Sequence, residues 1–221
     1  MNIPLEQLKH EFPHKFPLYM CLLHNALISY RLLPESSVSF PDRPDVIHFA
    51  EFCKPHLHKR VLDVGIGSLL IPGYYKGTDE FELIGIDVIE YNDTAHIMEA
   101  CAEFMPFPDN FCDVVVYGTS LDHLCDIARG LKETYRVLKP DGHVLVWMAD
   151  TSHIKPMQGI VEIQGIYFCV PPNAHDPFHS TNESTKETIE RFEFIGFKLE
   201  ELSEKNKNEV FMRFTKCNYV R

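Results

Sequence analysis

The chain has 221 residues, 45% of them hydrophobic and 24% charged, which is enough for one domain with a real core and ordinary for a globular protein. A formal net charge of −11 argues against a bulk electrostatic grip on nucleic acid, which needs clustered Lys and Arg. Seven cysteines, an odd count with no C-x-x-C pair, argue against a disulfide framework and a zinc site and for a reduced interior. "MNIPLEQLKHEF" has no apolar signal core, and no stretch approaches about 18 uninterrupted apolar residues, so a cytoplasmic protein without a membrane partner is expected.

In chain order, residues 1–31 read as helical: "PLEQLKHEF", then "FPLYMCLLHNALISYRLL", apolar on most faces and therefore packed against something. "PESSVSFPDRP" is a loop, and "DVIHFAEFCKPH" a short helix with Asp45 as its N-cap. His56 and His58 in "HLH" read as solvated surface. "RVLDV" is a buried strand ending at a glycine turn. "LLIPGYY" is a short helix damaged by Pro72 and Gly73. "FELIGIDV", "HIMEAC", "FCDVVVYGTS" and "HVLVWMAD" are further strands, with the amphipathic helix "CDIARGLKETYRVLK" before the last, stopped by Pro140 and Gly142. Strands alternating with helices imply a parallel sheet covered on both faces. Residues 151–183 read as an irregular insertion, "ESTKETIERFEFIG" as a helix, and "FKLEELSE" and "EVFMRFTK" as an antiparallel hairpin joined by "KNKN".

In such a sheet, ligands bind beyond the carboxyl ends of the strands. That selects Asp63 to Gly67, Asp87, Cys101 to Glu103 and Gly118 to His123. Gly65 and Gly67 let backbone approach a ligand closely. A dinucleotide turn wants a third glycine, but Leu69 and Leu70 stand there. Asp63 also places a carboxylate where a pyrophosphate would lie. A cationic cofactor without phosphate suits the turn better.

These segments resemble the class I S-adenosylmethionine-dependent methyltransferases over about residues 58–150. "VLDVGIGS", "LIGIDV", "CAEFMPFPDNFCDVVV", "GTSLDHL" and "LKETYRVLKPDGHVLV" are similar, in order, to five motifs of that family. The resemblance implies an α/β Rossmann-like methyltransferase fold: a seven-stranded, mostly parallel sheet with an antiparallel last strand. Residues 1–57 would form an N-terminal helical cap or lid, and residues 58–221 the cofactor-binding domain, with 151–183 on the acceptor side. It implies S-adenosyl-L-methionine as cofactor, Asp87 on the ribose, and contacts from Asp63, Gly65, Ile66, Gly67, Val88, Ala102, Glu103, Thr119, Ser120 and Leu121. Leu69 and Cys101 depart from the family pattern. Arg31 could meet the methionine carboxylate if the helices form a lid; packing of those helices against the sheet is the alternative.

His123 follows Asp122 where cofactor and acceptor should meet, and its ordinary pKa near neutrality suits a general base. His179 is the alternative base. Asp122, His153, His175, Asp176 and His179 are candidate acceptor contacts, and no metal is expected. The expected reaction is methyl transfer to a small polar acceptor such as a hydroxyl of a sugar or sugar nucleotide. An inactive binding protein of the same fold and a nicotinamide-dependent oxidoreductase are the alternatives. The apolar N-terminal helices could equally serve a homo-oligomer interface.

Overall fold

A computed structural model describes residues 3–33, 37, 40–67, 69–78, 80–89, 96–172, 174–179 and 182–217. Part of the predicted Pro/Ser loop therefore lies outside the described residues. The chain opens with α1 (Ile3–Glu11), α2 (Phe16–Leu32) and α3 (Pro44–Cys53). Pro44 occupies the first turn of α3, so the N-cap falls on Arg43 rather than on the expected Asp45.

Seven strands follow in one sheet: β1 (Lys59–Val64), β2 (Phe81–Asp87), β3 (Ile97–Glu99), β4 (Cys112–Gly118) and β5 (Leu138–Met148), then β8 (Phe197–Asn206) and β9 (Glu209–Lys216). Their spatial order is β3-β2-β1-β4-β5-β9-β8. β1 to β5 pair in parallel. β9 inserts antiparallel between β5 and β8. All seven residues of β4 are buried, as both faces of a parallel sheet demand.

Alternation along β1 divides the core. Leu62 and Val64 join the face covered by α4 (Ile127–Val137) and α5 (Thr185–Ile195), through Leu131, Val137 and Phe192. Val61 joins the opposite face, with Val46, Phe49 and Cys53 of α3 and with Tyr74, Trp147 and Phe211. α4 is capped by Asp126, which accepts from the Arg129 N–H. α5 begins with a capping box between Ser184 and Glu187 and ends at Gly196, whose φ of 111° is a left-handed cap.

Two expectations change. The predicted helix after the glycine turn is reduced to a three-residue 3-10 turn, Gly73–Tyr75, because Pro72 and Gly73 deny it length. The insertion is not wholly irregular: β6 (Gly159–Ile163) and β7 (Ile166–Val170) form a separate hairpin. His56 and His58 are half-buried rather than solvated, their rings 5.9 and 5.1 Å from that of His143.

α2 docks on this hairpin: Leu18 and Leu22 pack with Val161, Val170 and Ala174. Buried Asn25 donates from Nδ2 to the carbonyls of Cys169 (2.9 Å) and Pro177 (2.8 Å). Two segments distant in sequence thus form one cover. Asn25→Leu keeps the volume and strands both carbonyls. It should destabilise the fold by roughly 1–3 kcal/mol and speed amide exchange along α2. Unchanged exchange in α2 would show that the two halves of the cover are not tied through this residue.

Candidate active site

The cover closes over a cavity of about 640 Å³ at the carboxyl ends of β1 to β4, within the range of small-molecule sites. Its floor is the glycine turn. Gly65 and Gly67 have φ of 76° and 79°, a region that favours glycine. A Cβ on Gly65 would also meet Ser120 Cβ at 2.5 Å. Ser120 Oγ donates to the Val64 carbonyl, tying the β4 end to the β1 end.

Asp87 lies at the end of β2 and faces this cavity. Its Oδ2 accepts from the Gly67 N–H (2.9 Å) and its Oδ1 from the Ile89 N–H (3.1 Å). Burial raises the Asp87 pKa to about 6, against the lowering pull of the Gly67, Ile89 and Val88 amides. Val88, Ala102, Glu103, Thr119 and Ser120 line the cavity, and so does Cys101. Glu103 is partly committed already, since its Oε1 accepts from the Asp126 N–H at 2.9 Å. Thr119 holds φ at 61°, strained for a β-branched residue and of the kind that gathers at functional sites.

Asp63 does not reach the cavity. The alternation that sends Val61 to the α3 face sends Asp63 there too. It is fully buried, and Tyr74 Oη donates to its Oδ2 at 2.8 Å. Burial raises its pKa to about 7, opposed by Tyr75 and Tyr74 and reinforced by Asp87. Ile66 is buried over Gly85. Leu121 points into the core, and Leu69 does not line the cavity either. Arg31 and His153 are exposed. In place of Arg31 the cover presents Tyr19 and Tyr30. Tyr30 has its pKa pushed up to about 12 by burial, then by Asp87 and Asp122. Tyr19 lies beyond the sequence reading, because α2 is apolar on most faces and its periodicity cannot say which side meets a ligand.

At the far end, the 3-10 turn Leu121–His123 presents Asp122 and His123 to the cavity. His179 stands behind them, its ring centroid 4.6 Å from that of His123. Its Nδ1 lies 2.8 and 3.0 Å from the two Asp176 oxygens, and its Nε2 3.5 Å from Asp122 Oδ2. Burial works to lower the His179 pKa, but Asp122 and Asp176 outweigh it and hold the ring at about 9. Burial and His179 press His123 down to about 4. At neutral pH His179 is therefore an imidazolium in this arrangement, not the free base expected of it, and His123 is neutral. His175 is buried outside the cavity lining, and its backbone N–H donates to the His179 carbonyl at 2.8 Å.

Five carboxylates line the cavity: Asp87, Glu103, Asp122, Asp126 and Glu183. The lining cations Lys15 and Arg191 are paired, with Asp126 (2.6 Å) and Glu183 (3.3 Å). Such a lining opposes a pyrophosphate and suits a cation bearing hydroxyls. The sheet order, the glycine turn and the acid ending β2 define a Rossmann-like methyltransferase fold.

Comparison with known proteins agrees. Residues 62–146 match the family described as "Methyltransferase domain". This segment is similar to methyltransferase domains, and the fold is the Rossmann-like one of the S-adenosylmethionine-dependent methyltransferases. The chain is 36% identical over 70 residues to the ubiquinone/menaquinone biosynthesis C-methyltransferase UbiE of Pectobacterium atrosepticum, a match covering 32% of this chain and 28% of that protein. The chain thus spans less than a third of the length of that curated relative. Among solved structures it is similar to the Burkholderia thailandensis 1,6-didemethyltoxoflavin-N1-methyltransferase (TM-score 0.60, 13% identity, 90% of this chain and 89% of that one). It is also similar to an S-adenosylmethionine-dependent methyltransferase from Mesorhizobium loti (TM-score 0.56, 14% identity, 82% and 99%). Among the described residues, no helix is long and apolar enough to cross a membrane.

Proposed function

We propose that the protein is an enzyme that transfers a methyl group from S-adenosylmethionine to a small polar acceptor seated at the Asp122–His123 end of the cavity. The observation that carries this reading is the Asp87 carboxylate, which faces the cavity and is held by the Gly67 amide of the glycine turn. When bound, the cofactor supplies a methyl group already activated by its sulfonium. The chain's task is then alignment and exclusion of water. Asp87 would hold the ribose hydroxyls, Cys101 and Ala102 would flank the adenine, and Gly65 and Gly67 would offer close backbone. α2 and the β6–β7 hairpin keep solvent out, with Tyr19 and Tyr30 as the inner wall.

The acceptor end is polar, walled by Asp122 and His123, with His179 and Asp176 behind. That supports a hydroxylated acceptor such as a sugar. The acid-rich lining argues against the phosphates of a sugar nucleotide.

Thermal unfolding with excess S-adenosylhomocysteine, and with NADH in parallel, tests the cofactor. At about 100 times its dissociation constant a ligand stabilises the native state by about 2.7 kcal/mol. A shift with S-adenosylhomocysteine alone is expected. A shift with NADH alone would overturn the reading, and S-adenosylhomocysteine binding without turnover on a panel of polyols and sugars would favour a binding protein.

A further inference from the structure

Asp122, His123 and His179 come from two segments more than fifty residues apart in sequence, and one ligand atom from each lies within 4.8 Å of the other two. The gaps between them are not those of a hydrogen-bonded network. His179 Nε2 stands 3.5 Å from Asp122 Oδ2, and His123 Nε2 stands 4.0 Å from Asp122 Oδ1; side-chain hydrogen bonds are shorter. An ion bound at 2.0–2.2 Å by nitrogen and oxygen ligands sets neighbouring ligand atoms about 3.0–3.5 Å apart. Small side-chain rotations would bring the three atoms to that spacing.

The support behind His179 points the same way. Asp176 grips Nδ1 with both oxygens, at 2.8 and 3.0 Å. Its Oδ1 also accepts from the backbone N–H of Phe178 (2.7 Å) and of His179 (2.8 Å), fixing the loop that carries the ring. A carboxylate on one imidazole nitrogen while the other faces a ligand set is the usual outer partner of a metal-bound histidine. With the His179 proton released to solvent as the ion binds, two carboxylates and two neutral imidazoles match a divalent cation in charge.

We infer that Asp122, His123 and His179 form a binding site for a divalent first-row transition metal, with Asp176 orienting His179. Two histidines and one carboxylate leave coordination positions open. Asp122 and His123 line the cavity, so those positions face the place where an acceptor oxygen would sit. The metal's part in the chemistry, as a Lewis acid on that oxygen, rests on the methyl-transfer reading; its binding does not.

The test is titration of chelator-treated protein with Co²⁺ alone, read by visible d–d absorption, with circular dichroism as the check on folding. One saturable equivalent is expected. His179→Gln should weaken binding by about a hundredfold or more, and Asp176→Asn by roughly 10–100-fold. The inference is overturned by absence of saturable uptake, by equal affinity in folded His179→Gln, or by intense thiolate-to-metal charge transfer, which would place the ion on cysteines. S-adenosylhomocysteine binding is measured on the same metal-free sample. Its loss with Co²⁺ binding intact would sink the cofactor reading and spare the metal site, and the reverse would do the opposite.

Discussion

Asp87→Ala is expected to weaken S-adenosylhomocysteine binding about a hundredfold or more, measured by isothermal titration calorimetry. Hydrogen bonds to a charged group are worth about 1.5–3 kcal/mol each, and a carboxylate on two ribose hydroxyls would make two. The alanine also removes the acceptor for the Gly67 N–H, loosening the turn that forms the floor. Asp87→Asn separates the two effects. Its amide oxygen can still hold the turn, so the affinity it loses reports the charge. The same carboxylate gives the binding a pH dependence. Its pKa of about 6 without ligand means that the ionised form is lost as pH falls through 6, so affinity should decline there. An unchanged dissociation constant in Asp87→Ala would remove the ribose from this end of β2.

Asp63→Asn should make the protein more stable at pH 8 and leave it unchanged near pH 4. In the native state burial raises the Asp63 pKa to about 7, whereas in the unfolded chain it lies near the ordinary 3.9. Between those values the native state holds a proton that the unfolded state has released. Stability contributed by this group therefore falls as pH rises from about 4 to 7, and the full penalty stands above 7. Three pKa units amount to roughly 4 kcal/mol, an upper bound. Asparagine is neutral throughout and can still accept from Tyr74. Asp87 contributes the same sign up to about pH 6 in both proteins, so a residual slope persists in the variant. Thermal melts at pH 4, 6 and 8 decide it: parallel profiles for the two proteins would show that Asp63 is not the buried carboxyl responsible.

The sheet was legible because parallel strands covered on both faces must be apolar along their whole length, and "CDVVVYG" and "HVLVWM" are. The glycine turn was legible because close backbone approach at positive φ favours glycine, and the place of Asp87 because it ends the second strand, whose carboxyl end opens on the cavity. Asp63 marks where that reading stopped short. A period of two along β1 puts residues 61 and 63 on one face and 62 and 64 on the other, so its turn away from the cavity was written in the strand itself. The β6–β7 hairpin hid for a different reason. Its turn residues Gln164 and Gly165 both have positive φ, 49° and 80°, as in a type I′ turn, but Gln-Gly is a weaker sign than Asn-Gly. The meeting of His179 with Asp122 and His123 depends on how a long insertion folds back, which no local pattern encodes. Tyr19 is hidden likewise, because an all-round apolar helix does not announce its ligand face.

The position of β9 has a consequence for how the chain is made. β5 is flanked on one side by β4 and on the other by β9, the last of the sheet's strands in chain order. Until residues 209–216 emerge, β5 presents an open edge, and Trp147, already packed on Phe49 of α3, still lacks its other ring neighbour Phe211. Such an edge is a template for pairing with another nascent chain. The sheet becomes safe from that only when β9 slots between β5 and β8, both already translated, so closure of the sheet waits for its last-translated strand.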